Sequence, residues 1–351
     1  MAPVAPLLRC VAPAIIAGLL APAAAAAPGV CDGAACAAAQ AAAADSSSLG
    51  LLQVQAASRS SANREESKEG CYPPDDLVLM HIPFNFGHTI EKVAAFGTGV
   101  GAMAAYGAVQ ALEDSSLMNV KGQWAMLETT KQYGGQVWGH LYPELHQVSD
   151  VTGCPMYFTP GKYWPQALAD KYFNNKHVFG MLRDPYERLV AFFRGNIKGY
   201  GGAYPEFINT CDVNGAVKQM MRKYLAGGMY AENCTFVPQA EYFDSPNGIT
   251  VAVDNRRFPE SANELFAARN STWRIKTEDL IHVWYCPEVW AGDLDCEAKA
   301  LVRQVYARDF ELLCKHFGYC DTDESCCIKG VPYMCPSDLA AKEKTATRCP
   351  A

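Results

Sequence analysis

The sequence predicts an α/β fold: a three-layer sandwich on a mainly parallel sheet, followed by a cysteine-rich C-terminal tail. Three observations carry this. Residues 177–182, His-Val-Phe-Gly-Met-Leu, are a short apolar run with the composition of a parallel strand buried on both faces. The run closes at Arg183 and Asp184 and passes straight into a helical pattern. Leu189, Val190, Phe192 and Phe193 share one face there, and Glu187, Arg188 and Arg194 lie off it. Residues 77–80, Leu-Val-Leu-Met, repeat the arrangement ahead of a polar loop and a second helical stretch. Half of the 351 residues are hydrophobic, enough to give one large α/β domain a sizeable core.

Taken in order, residues 1–27 hold one basic residue, Arg9, and an apolar run broken by Pro13 and Pro22 that ends in alanines. That is the pattern of a secretory signal peptide, with a signal anchor as the rival reading. Residues 28–70 are rich in Ala, Ser and Gln with few large apolar side chains, and read as a low-complexity stem. The folded domain is expected over 71–320 and the tail over 321–351. After the first strand and its loop, a helix is expected from Thr89 to Leu112, weakened around Gly97, Gly99 and Gly101. Residues 136–141 read as a strand end, and the aromatics of 157–164 as packing in a Pro/Gly loop. Asp184 suits the cap of the next helix, and Pro185 suits its first turn. A flexible loop at 199–202, a basic-faced helix at 218–225 and a charged turn at 254–257 follow. Trp284, Tyr285 and Trp290 lie near Cys286 and Cys296, which suggests a stapled aromatic loop. Residues 293–317 read as the last long helix.

The fifteen cysteines become an even number once Cys10, inside the leader, is set aside. Cys314, Cys320, Cys326, Cys327, Cys335 and Cys349 crowd the C-terminal part, a disulfide framework for a secreted chain. No Cys-x-x-Cys pair occurs and His316 is alone among these cysteines, so no metal is expected. Sequons at Asn233 and Asn270 agree with a secretory compartment. A net charge of -7 argues against nucleic acid as a partner. A membrane enters only if the leader is an uncleaved anchor.

A strand feeding a helix N-terminus is a place to hold an anion, because free amides and the helix dipole favour negative charge. Arg183 and Arg188 add bidentate reach after the later strand. After the first strand comes His81-Ile82-Pro83-Phe84-Asn85-Phe86-Gly87-His88-Thr89. Here the chain resembles the secretory carbohydrate sulfotransferases that use 3'-phosphoadenosine 5'-phosphosulfate (PAPS). That family carries His-Ile-Pro-Lys-Thr-Gly-Gly-Thr at this point and Arg-Asp-Pro-x-x-Arg after a later strand. The resemblance continues through Cys234-Thr235-Phe236-Val237-Pro238-Gln239 and Ile275-Lys276-Thr277-Glu278-Asp279-Leu280, the latter similar to a family strand ending in Glu-x-Leu. It ends at 305–313, where Tyr306 and Asp309-Phe310 match the family's terminal helix.

The resemblance implies a P-loop-NTPase-like sulfotransferase fold and PAPS as sulfuryl donor. Pro83, Asn85, Phe86, Gly87, His88 and Thr89 would cradle the 5'-phosphosulfate, and Arg183 and Arg188 the 3'-phosphate. A Gly-His pair between the two loops makes His140 the expected catalytic base, with His146 a weaker alternative. The chain departs from the pattern at Phe84, where the family has the lysine that contacts the transferred group, and at Ala191, where it has a serine. His88 is the expected substitute for the missing charge, while Lys92 reads as a solvent-facing helix residue. The implied function is O-sulfation of a glycan in the secretory pathway, in the Golgi lumen or outside. The alternative is an inactive relative that binds nucleotide or glycan without transfer. A nucleoside kinase is disfavoured because no Gly-x-x-x-x-Gly-Lys-Ser/Thr loop exists.

Overall fold

The structure, a computed structural model, describes residues 76–99, 101–102, 105–107, 130, 135–195, 205–281 and 285–349. The leader at 1–27, the stem at 28–70 and the loop at 199–202 lie outside the described residues. Among the described residues three short strands form a parallel sheet in the order β1-β2-β3: β1 (Leu77–Leu79), β2 (His177–Leu182) and β3 (Val251–Asp254). Leu77 stands opposite His177, and Phe179 opposite Val251. Every residue of β1 is buried, as is β2 after His177, which is why both read as unbroken apolar runs.

Each strand leads into a helix or turn at the same edge. β1 is followed by α1 (Gly87–Phe96), and α2 (Gln166–Phe173) precedes β2. β2 opens directly into α3 (Pro185–Gly195), whose first turn is capped as expected: Tyr186 N and Glu187 N donate to Asp184 Oδ1 at 3.0 and 3.2 Å. α4 (Val213–Leu225) packs on α3, and α5 (Glu260–Ala268) follows β3. The helix expected over 293–317 is two helices, α6 (Cys296–Val305) and α7 (Ala307–Phe317), broken at Tyr306. Tyr306 leaves the helical region and sinks its ring into the core, where its hydroxyl donates to Phe236 O. α1 ends at Phe96, where Gly97 turns to φ 77° and donates to Val93 O, at the first of the glycines expected to weaken it.

Among the described residues two large apolar clusters form most of the core, with a small third one at Ala95, Tyr106 and Leu141. One of the large two surrounds β1 and β2, and the other lies among α3, α4, α6 and α7. Residues 321–351, read from sequence as a tail after the domain, supply Ile328, Val331 and Met334 to the first cluster. Two buried cations wait for the same segment. Arg194 of α3, placed off the apolar face by its helical pattern, is 1% exposed and donates to the carbonyls of Tyr333, Met334 and Val289. Lys299 of α6 is fully buried and donates to Asp323, Ser325 and Thr347 O. A last helix, α8 (Leu339–Thr345), follows.

Five disulfides form among the described residues: Cys154–Cys234, Cys211–Cys286, Cys296–Cys349, Cys314–Cys320 and Cys327–Cys335. They fit a secreted or lumenal chain. Among the described cysteines Cys326 alone is unpaired, half-buried, and burial pushes its thiol well up from the ordinary value. Among the described residues no helix is long and apolar enough to cross a membrane.

Candidate functional site

The carboxyl ends of β1 and β2 lie side by side, and the loop 81–89 meets the Arg183 turn there. Phe84 and Phe86 both take positive φ, 65° and 61°, so the loop turns sharply between β1 and α1. Their rings face opposite supports. Phe84 packs edge-on against Phe192 of α3 at 5.0 Å, and Phe86 stacks on Phe258 at 4.5 Å. Asn85 turns inward between them. Its Nδ2 donates to Met181 O at 2.7 Å and to Gln239 Oε1 at 2.6 Å.

Gln239 is the hub of a buried polar network. Its Oε1 also accepts from Arg183 N, and its Nε2 donates to Arg183 O and to Asp309 Oδ2. Asp309 further accepts from the amides of Gln239 and Ala240 at 2.9 and 2.8 Å. The two arginines do different work. Arg188 is 2% exposed, with Nε on Pro83 O, Nη1 on Val237 O and Nη2 on Thr235 O, so each guanidinium nitrogen holds a carbonyl of a neighbouring loop. Arg183 pairs with Glu187 through Nε and donates to Phe84 O through Nη1, with its guanidinium over the Phe86 ring. Its Nη2 is buried without a partner. Of the two arginines expected to hold a 3'-phosphate, Arg183 keeps a donor in reserve, and Arg188 serves as a staple.

Beyond Phe86 the loop becomes α1, whose start has no side-chain cap. Thr89 is buried there, and its hydroxyl accepts from Ile281 N at 2.8 Å. A second cluster begins at His88, built around Glu91, which is fully buried. His81 Nδ1 donates to Glu91 Oε1 at 2.5 Å, His88 Nδ1 to Oε2 at 3.2 Å and His140 N to Oε1 at 3.0 Å. Two glycines admit this crowding. A Cβ at Gly87 would come within 2.3 Å of His81 Nε2, and one at Gly139, where φ is +48°, within 1.9 Å of Glu91 Oε1. The space over Gly87, expected to admit a phosphate, is therefore filled by the His81 ring. The His88 ring stands edge-on to His81 at 4.7 Å and to His140 at 5.0 Å. His140 lies against Tyr157 at 5.4 Å, and His146 Nε2 donates to His140 O at 2.6 Å.

Electrostatics revise two expectations. Burial pulls His88 down to about 4 against the opposing bond to Glu91, so at neutral pH this ring is neutral and does not replace the lysine's charge. Burial pushes Glu91 up, but the facing His81 charge and the bonds from His81 and His88 outweigh it and hold the carboxyl well below the usual range. Lys92, expected in solvent, is fully buried and donates to Asp279 O at 2.7 Å and Oδ1 at 3.1 Å. Asp279 also accepts from Gly99 N and Lys276 N, so residues 277–279 form a turn rather than the end of a strand.

The structure brings His88, His140, Arg183 and the loop, all named from the sequence, to one edge; Glu91 and His81, which join them there, had not been singled out. The signal was present: Glu91 follows His88 by three residues, on one helix face, just ahead of the apolar run Val93-Ala94-Ala95-Phe96. With His81 they place three ligating atoms within 4.8 Å of one another, where no metal was expected. Family models, curated proteins and solved structures give no match to this chain.

Proposed function

We propose that this protein is a PAPS-dependent sulfotransferase of the secretory pathway, acting in the Golgi lumen or outside the cell on a hydroxyl of a glycan. We extend this to its architecture, a P-loop-like three-layer sandwich. The observation that carries the reading is the meeting of separate sequence stretches in one buried network. Asn85, Arg183, Gln239 and Asp309, far apart in the chain, bond to one another, and Arg188 ties Pro83 to Thr235 and Val237. These are the stretches on which the sequence resemblance rests, and they gather at the carboxyl edge of a parallel sheet, where α/β proteins bind ligands.

The chemistry follows from these parts. The acceptor hydroxyl attacks sulfur, the S–O bond to the phosphate breaks, and the nucleotide leaves as 3'-phosphoadenosine 5'-phosphate. The uncapped amides at the start of α1 receive the 5'-phosphate, and Arg183 Nη2 receives the 3'-phosphate. His140, half-buried beside His88 and Tyr157, takes the acceptor's proton. The second reading, a binder without transfer, is favoured by one observation: Phe84 is packed on Phe192 and brings no cation to the loop.

Calorimetry with 3'-phosphoadenosine 5'-phosphate tests both. Wild type binds, and Arg183→Ala, checked by thermal melting for intact fold, binds roughly ten- to a hundred-fold more weakly, as loss of a charge-assisted contact requires. Absence of binding at millimolar nucleotide removes both readings. Given binding, radiolabelled sulfate transfer that His140→Ala abolishes supports the enzyme. Transfer that appears only in Phe84→Lys supports the inactive binder.

A further inference from the structure

We propose that His81, His88 and Glu91 bind a divalent transition-metal ion of the zinc class. The three arrive from two places: His81 from the start of the loop after β1, and His88 and Glu91 from the first turns of α1. One donor atom of each lies within 4.8 Å of the other two. Two imidazole nitrogens and a carboxylate oxygen suit zinc, cobalt or iron(II). Calcium and magnesium ask for oxygen throughout. The apo spacing is close to that of a ligand set. His81 Nδ1 and His88 Nδ1 stand 2.5 and 3.2 Å from the two oxygens of Glu91. Tetrahedral zinc with bonds of about 2.0–2.1 Å holds its ligands about 3.3 Å apart, so side-chain shifts of about an ångström or less admit the ion.

The surroundings fit as well. His140 N donates to Glu91 Oε1, a backbone bond of the kind that fixes a ligating carboxylate. Gly87 and Gly139 leave no room for a side chain against His81 and Glu91, which holds the donors in place. Charge gives an independent reason. Glu91 is fully buried, and among the described residues no lysine or arginine pairs with it; its neighbour Lys92 is turned to Asp279. A buried carboxylate faced by imidazoles alone is the donor set and charge arrangement that a dication completes. The His88 side chain keeps 17% exposure where Glu91 has none, so the ion enters, and keeps its open position, on the His88 side.

The site stands without the nucleotide reading, and its test uses the metal alone. The secreted chain, made without a polyhistidine tag, is dialysed against Co2+ or Zn2+. The expected result is one bound equivalent, with the visible absorption of four-coordinate Co2+, displaced by Zn2+. X-ray absorption of the Zn2+ form shows nitrogen and oxygen neighbours that include two imidazoles. His88→Ala, the least buried ligand, lowers Co2+ affinity by more than about a hundred-fold, and His316→Ala on α7 binds as wild type. Wild type that retains no Co2+, a sulfur-containing first shell, or undiminished binding by folded His88→Ala each overturns the site. Should His88→Ala prove unfolded, the neighbours seen by X-ray absorption in wild type decide.

Discussion

Asp184 shows how much a single position can be asked to do. It follows β2 by two residues, caps α3 and faces Arg256 at 3.5 Å, all while 3% exposed. Burial pushes its carboxyl up to about 6, with Arg256 pulling the other way. The folded state therefore holds the proton more tightly than the unfolded chain does. Its contribution to stability is complete below about pH 4 and is lost as pH rises through about 6. Asp184→Asn keeps a cap without the titration. Between about pH 4 and pH 7, urea midpoints should show wild type losing about 2–3 kcal/mol that the variant does not. A parallel pH course for the two proteins would contradict this. At this scale the sequence named the residue types well and their partners poorly. The cap and the arginines were legible from position in a strand–helix joint. That Arg188 spends its nitrogens on carbonyls of Pro83, Thr235 and Val237 was not, because backbone acceptors from distant loops leave no mark in local sequence.

Among elements, α1 and α3 depart most from the amphipathic picture. Both have an apolar stripe, as their patterns require, yet their charged positions are buried too. On α1, Glu91 meets histidines and Lys92 meets Asp279, and on α3, Glu187, Arg188 and Arg194 are all under 3% exposed. Period alone marks the stripe and assigns everything else to solvent. It errs when loops close over the polar face, as 277–281 and 333–334 do here. The Lys92–Asp279 pair gives a clear test. Asp279→Ala leaves an ammonium in the core and also strands Gly99 N and Lys276 N, so denaturation should register a loss of about 3–5 kcal/mol. Adding Lys92→Met should return part of that, since the stranded charge goes. A double variant no better than the single would show that the backbone bonds to Asp279, not the ion pair, carry the cost.

For the whole molecule, the parallel sheet and its strand-to-helix joints were legible because fully buried strands make unbroken apolar runs. The extent of the fold was not. Composition marks 321–351 as a separate cysteine-rich piece, yet Ile328, Val331 and Met334 are 1–3% exposed in the main core. Losing three such side chains costs on the order of 2–5 kcal/mol each, comparable with the roughly 5–15 kcal/mol that holds a domain together. A chain ended at residue 320 should therefore show no cooperative urea transition. A sharp transition in that truncated chain would restore the tail to an appendage.

The pockets for Lys299 and Arg194 set an order of events in the cell. Their acceptors, Thr347 O, Tyr333 O and Met334 O, leave the ribosome well after the helices they serve, and Cys349 must still reach Cys296. Until residues 333–347 have been made, α3 and α6 carry cations whose buried acceptors are missing, and the helices cannot dock. The nascent chain thus has to wait, open, for these later residues, and is exposed meanwhile to the folding helpers of its compartment.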